Sequence, residues 1–137
     1  MQAKTVVVSL PVSDLARSLS FYQEGLGLAP SDLDETIIAF ELPNLSLFLI
    51  VTDEYATYIE RAGVAASAAP VPGACIISCA IGTNAEVDEI LERAARAGAT
   101  TSRWPGDDGG RTGYFSDPDG HIWELVYNAR TASANGS

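Results

Sequence analysis

Apolar positions along the chain alternate between two spacings, and together they predict two runs of strand, helix and strands. The β-branched stretch Lys4 to Leu10 (KTVVVSL) predicts a strand, and Pro11 is expected to end its pairing because proline has no N–H to give a ladder. Asp14 is placed to cap a helix through Leu15, Ser18, Leu19 and Tyr22. Gly25 and Gly27 end that helix, and Pro30 keeps it from resuming. Thr36 to Leu42 (TIIAFEL) and Leu45 to Val51 (LSLFLIV), joined by Pro43-Asn44, predict a hairpin. Asp53 opens a further helix, TDEYATYIERAG, closed by Gly63, and the Ala/Pro-rich segment from Val64 to Gly73 is expected to link two halves.

The second half repeats the order. Ala74 to Ile81 predicts a buried strand, and Asn84 is placed to cap a helix whose inner face carries Val87, Ile90, Leu91 and Ala94 before Gly98. A strand near Ala99 to Trp104 precedes the loop PGDDGG. Thr112 to Ser116 and His121 to Tyr127 then form a hairpin turned at Asp117-Pro118-Asp119-Gly120. The caps Asp14 and Asn84 are 70 residues apart, Gly27 and Gly98 are 71 apart, and the last strands start 76 apart. That period predicts a duplicated βαβββ unit. The expected class is α+β in one domain, residues 1–128, with module one at about 4–63 and module two at about 73–128. The small, polar tail 129–137 is expected to be disordered.

Composition narrows the function classes. With 137 residues and 47% hydrophobic content the chain can bury a core, and its charge of −10, from 18 acidic and 8 basic residues, excludes a binder of phosphate backbones. No apolar run reaches the ~20 residues of a membrane span. Val6 to Leu10 is too short for the core of a secretion leader, so a cytoplasmic protein is expected. Cys75 and Cys79 share one strand and so lie roughly 13 Å apart, too far for a disulfide, and they are expected to be reduced.

Candidate chemistry centres on Glu124. In His121-Ile122-Trp123-Glu124-Leu125-Val126-Tyr127 both strand faces are apolar, so a carboxylate there is either a satisfied rim group or one that meets a ligand or metal. Pairing Ser116 with His121 would set Gly113 opposite Glu124 and bring Arg111 onto the same face, where it could pair with Glu124 or clamp an anion. His121, the one histidine, is expected to be an exposed turn residue, and Asp32, Asp34, Asp107 and Asp108 are expected to be solvated loop charges. No nucleophile elbow, Walker sequence or GxGxxG occurs.

PVSDLARSLSFYQEGLGL and GYFSDPDGHIWELVYN, with EVDEILERAARAGA between them, resemble the vicinal oxygen chelate superfamily of glyoxalase I, extradiol dioxygenases, fosfomycin-resistance enzymes and bleomycin-resistance proteins. The resemblance spans Lys4 to Asn128. It implies paired βαβββ modules forming a curved mixed sheet around a cleft, helices outside, usually in a homodimer. Carried over residue by residue, the metal-ligand positions of metal-dependent members fall on Val7, Phe48, Cys75 (to within a residue) and Glu124. Only Glu124 is a strong oxygen donor, so no cofactor and no metal site of the usual kind are expected, with a divalent metal left open.

The expected function is therefore a metal-independent small-molecule-binding protein of the bleomycin-resistance type. It would confer antibiotic resistance by sequestering a drug-like or cationic aromatic ligand. Val7, Phe48, Cys75, Trp104 and Phe115 would line the cleft, with Arg111 and Glu124 fixing orientation. The alternative is a glyoxalase-like lyase or isomerase, or a dioxygenase-related enzyme, with Glu124 as acid, base or metal ligand. A third reading is an interaction protein that kept the fold and lost the activity.

Overall fold

A computed structural model describes residues 1–105 and 111–127. The glycine-rich loop from 106 to 110, with Asp107 and Asp108, and the tail from 128 lie outside the described residues. The chain forms two compact units, residues 1–70 and 71–137, divided within the expected linker. Each is a four-stranded mixed sheet with helices, an α+β arrangement of two like modules. Among the described residues no helix is long and apolar enough to cross a membrane.

The first unit runs β1 (Val7–Val12), α1 (Leu15–Leu19), β2 (Asp32–Leu33), β3 (Ile37–Leu42), β4 (Leu45–Val51) and α2 (Thr52–Arg61). Its sheet order is β1-β4-β3-β2, with β1 parallel to β4 and the other pairs antiparallel. Pro11 does not end β1 as expected. It pairs with Ile50 inside the strand, because β1 lies at the sheet edge, where one side of the backbone needs no partner. Asp14 caps α1 by accepting the Arg17 N–H at 3.0 Å, and a π-helical segment, Ser20–Gly25, continues it. The faces of the strands separate cleanly. Leu10, Val12, Ile38, Phe40, Leu47 and Leu49 form one buried side, on which Tyr22 packs against Phe40 with ring centroids 5.5 Å apart. Asp32 is a strand residue rather than a loop charge, opposite Ala39, while Asp34 accepts the N–H groups of Thr36 and Ile37 in a tight turn.

The second unit runs β5 (Ile76–Ala80), α3 (Asn84–Arg96), β6 (Thr101–Pro105), β7 (Arg111–Ser116) and β8 (Ile122–Tyr127), in sheet order β5-β8-β7-β6. Thr83, not Asn84, caps α3: its hydroxyl accepts the Glu86 N–H at 3.0 Å. β5 was expected to be buried, yet Ile76 is 56% exposed, since the strand is an edge paired only with β8. Val87, Leu91 and Ala94 bury the inner face of α3 against the sheet. Gly113 permits that approach: a Cβ there would lie 2.6 Å from Leu91 Cδ1 and 3.0 Å from Val87 Cγ1.

The turn after β7 is the main departure from expectation. Asp117 accepts the N–H groups of Asp119 and His121, both at 2.9 Å, which draws His121 into the turn. Gly120, at φ 89°, closes it beneath Pro72. Asp117, Asp119 and His121 are consequently buried, and the expectation of an exposed His121 is corrected: it is 2% exposed. Gly113→Ala is expected to cost about 1–3 kcal/mol through overpacking against α3. A lowered urea midpoint with unchanged denaturant slope would register that loss.

Candidate functional site

With His121 inside the turn, Ser116 pairs with Ile122 and the whole register moves by one residue from that expected. Tyr114, not Gly113, stands opposite Glu124, and Ser78 of β5 stands on its other side. Because a strand's side chains alternate, this single step exchanges the faces. Glu124 shares its face with Ile76, Ser78, Ile122, Val126, Thr112, Tyr114, Ser102 and Trp104. Trp123, Leu125, Phe115 and Gly113 share the other, which is buried against α3.

Both carboxylate oxygens of Glu124 receive a hydroxyl. Ser78 Oγ donates to Oε1 at 2.8 Å and Tyr114 Oη donates to Oε2 at 2.5 Å. The hydrogen bond to Glu124 is the main reason the Tyr114 phenol is raised above its ordinary pKa of 10.0, with partial burial and the carboxylate's charge adding to it. The Glu124 face is half open rather than covered as expected, since Ile122, Glu124 and Val126 are all partly accessible. A recess of about 270 Å³ beside Tyr114 is lined by Ser102, Ser116 and Ile122 among others, and Trp104 on the same face is 66% exposed.

Three expected site residues take other places. Arg111 does not approach Glu124. It lies on the α3 side, where it and Arg103 both pair with Asp88 of that helix. Those arginines, the Arg111 hydrogen bond first, hold the Asp88 carboxyl below the usual carboxylate range. Phe115 is core rather than wall, 2% exposed and stacked on Trp123 at 5.9 Å. Cys75 precedes β5, and the residue on the Glu124 face is Ile76, the one-residue slip that strand alternation makes possible. Cys75 and Cys79 are both free thiols, and burial pushes that of Cys79 up. In the first unit, Val7 and Phe48 share a face of their own sheet, Val7 46% exposed and Phe48 half-buried.

These residues do not fit the metal site of the metal-dependent members. Val7, Phe48 and Ile76 carry hydrocarbon side chains, which leaves Glu124 as the sole oxygen donor of the four positions. Among the described residues no group of three or more His, Cys, Asp or Glu side chains is placed to hold a metal ion. Ser78 and Tyr114 were missed in the sequence. For Tyr114 the signal was the length of the turn, because a five-residue connection from Asp117 to His121 sets Tyr114 against Glu124. Ser78 reaches Glu124 through the parallel pairing of β5 with β8, for which the sequence carried no signal.

The family model described as Glyoxalase/Bleomycin resistance protein/Dioxygenase superfamily matches residues 4–125. A solved glyoxalase-related enzyme from Fulvimarina pelagi is 32% identical with a TM-score of 0.77, the match covering 93% of this chain and 89% of that one. A glyoxalase/bleomycin resistance protein/dioxygenase from Nocardioides is 24% identical (TM-score 0.70, covering 93% and 84%). Lactoylglutathione lyase from Agrobacterium tumefaciens is 19% identical (TM-score 0.69, covering 93% and 96%), and the likeness to these two is one of fold alone. No protein of curated function matches the chain.

Glu124→Gln is expected to bring the Tyr114 phenol back toward 10.0, since ionisation would then neither forfeit a bond to a carboxylate nor face its charge. Ultraviolet titration, with Tyr114→Phe identifying the signal, measures this; an unmoved phenol titration would contradict the hydrogen bond.

Proposed function

Since the chain belongs to the Glyoxalase/Bleomycin resistance protein/Dioxygenase superfamily, we propose that it acts as a metal-independent binder of small molecules. Its ligand, drug-like or cationic and aromatic, meets the open face of β5, β8, β7 and β6. The observation that carries this reading is Glu124, oriented by two hydroxyls on a face that is otherwise apolar or hydroxyl-bearing, with both arginines of the sheet turned to the other side. A few fixed polar groups among apolar walls suit a small-molecule site. Trp104, Ile76 and Ile122 supply apolar contact area, and the carboxylate supplies orientation and charge complementarity.

A second reading has one specific support, the 32% identity to a protein named as a glyoxalase-related enzyme. In that reading Glu124 moves a proton as acid or base, with Tyr114 holding its carboxylate in place. The two readings part in a lactoylglutathione lyase assay: binding without turnover favours the first, and turnover removed by Glu124→Gln favours the second.

For the binding function, cationic aromatic compounds that raise the melting temperature are expected to lose about tenfold or more in affinity in Glu124→Gln, the scale of a hydrogen bond to a charged group. Calorimetry on wild type and variant measures it. Unchanged affinity across every hit would place the ligand elsewhere.

A further inference from the structure

We propose that the Glu124 site selects cations bearing N–H groups, protonated primary or secondary amines, over fully alkylated ammonium ions, and that Tyr114 is the residue that sets this selectivity. The proposal rests on the reading that a cationic ligand binds at Glu124.

The argument is a count of hydrogens. An ionised carboxylate only accepts, so the contacts from Ser78 Oγ and Tyr114 Oη require both hydroxyls to be donors. Each hydroxyl has one hydrogen, and each is spent on Glu124. Toward a ligand, Tyr114 and Ser78 therefore present lone pairs alone, and Glu124 keeps unused lone pairs on both oxygens. The centre of the face is a patch of acceptors fixed from three strands, β5, β8 and β7. A ligand N–H satisfies such a patch, while an anion or a bare carbonyl would be repelled by it.

Charge points the same way. Arg103 on β6 and Arg111 on β7 lie on the opposite face and are both engaged by Asp88. The sheet thus supplies Glu124 with hydroxyls and no counter-ion. A quaternary ammonium would match the charge but offer no donor to these partly accessible acceptors, and sites built around hydrogen bonds discriminate against analogues that lack the donor. Quaternary cations are held instead by cages of aromatic faces. On this face the described aromatic rings are Tyr114, whose hydroxyl is tied to Glu124, and Trp104, two strands from Glu124.

Benzylammonium and benzyltrimethylammonium carry the same ring and charge and differ in N–H groups, so titrating both against the full chain by NMR tests the proposal. Benzylammonium is expected to bind about tenfold tighter or better in wild type, and Tyr114→Phe is expected to narrow the ratio to about threefold or less, by loss of one acceptor and of the carboxylate's fixed orientation. Ser78→Ala, which leaves the phenol contact intact, is expected to narrow it less. Equal affinity for the two probes, both lost in Glu124→Gln, would overturn the selectivity and leave the cation site standing. Binding indifferent to Glu124→Gln, or no binding of either probe up to about 10 mM, would overturn the site as well. A ratio preserved in Tyr114→Phe would remove the role given to Tyr114.

Discussion

The carboxylate of Asp117, holding the N–H groups of Asp119 and His121, decides which way the side chains of the last hairpin point. It takes His121 out of the strand and into the turn, so that β8 begins pairing at Ile122. One residue fewer in the turn would put Gly113 opposite Glu124 and leave the carboxylate on a different set of neighbours. Burial of Asp117, Asp119 and His121, with Gly120 closed beneath Pro72, makes the turn a packed part of the unit. The chemistry of the site follows from that local geometry.

The same register sorts charge. Arg111 and Arg103 reach α3 and meet Asp88, fastening the helix near the point where Gly113 lets it approach the sheet. Glu124, on the reverse side, is left with two hydroxyl donors. A carboxylate satisfied by neutral donors keeps its charge available to a ligand, whereas one paired to an arginine does not. The sheet therefore separates a structural ion-pair cluster from a polar group poised for recognition.

Much of this was legible in the sequence, for identifiable reasons. Helix ends showed through Asp14, Gly27 and Gly98, and the hairpin of β3 and β4 through Asn44, which adopts φ 68°. The duplication emerged from spacing, because both modules use the same order of strand, helix and strands. Strand faces were harder. Glu124 stood out as a charge in an apolar run, but its partners depended on whether His121 belonged to turn or strand, a choice made by an Asp117 side chain bonding to the backbone. Ser78 is 46 residues from Glu124, and no periodicity connects them. The expected positions of Arg111, Cys75 and Phe115 failed by alternation alone, each landing one step out of phase with the open face.

Family membership and the residues of this chain point in different directions on metal. The ligand positions that the resemblance implied were Val7, Phe48, Cys75 and Glu124, and the strand register puts Ile76 rather than Cys75 on the Glu124 face, so that Glu124 is the one carboxylate among them. The account requires Glu124 to meet its ligand directly. Elemental mass spectrometry on untagged protein purified without chelators tests that most directly. Less than roughly a tenth of an equivalent of any transition metal is the expected result, and about one equivalent of zinc, nickel, manganese or iron would contradict it by making Glu124 a ligand to that ion.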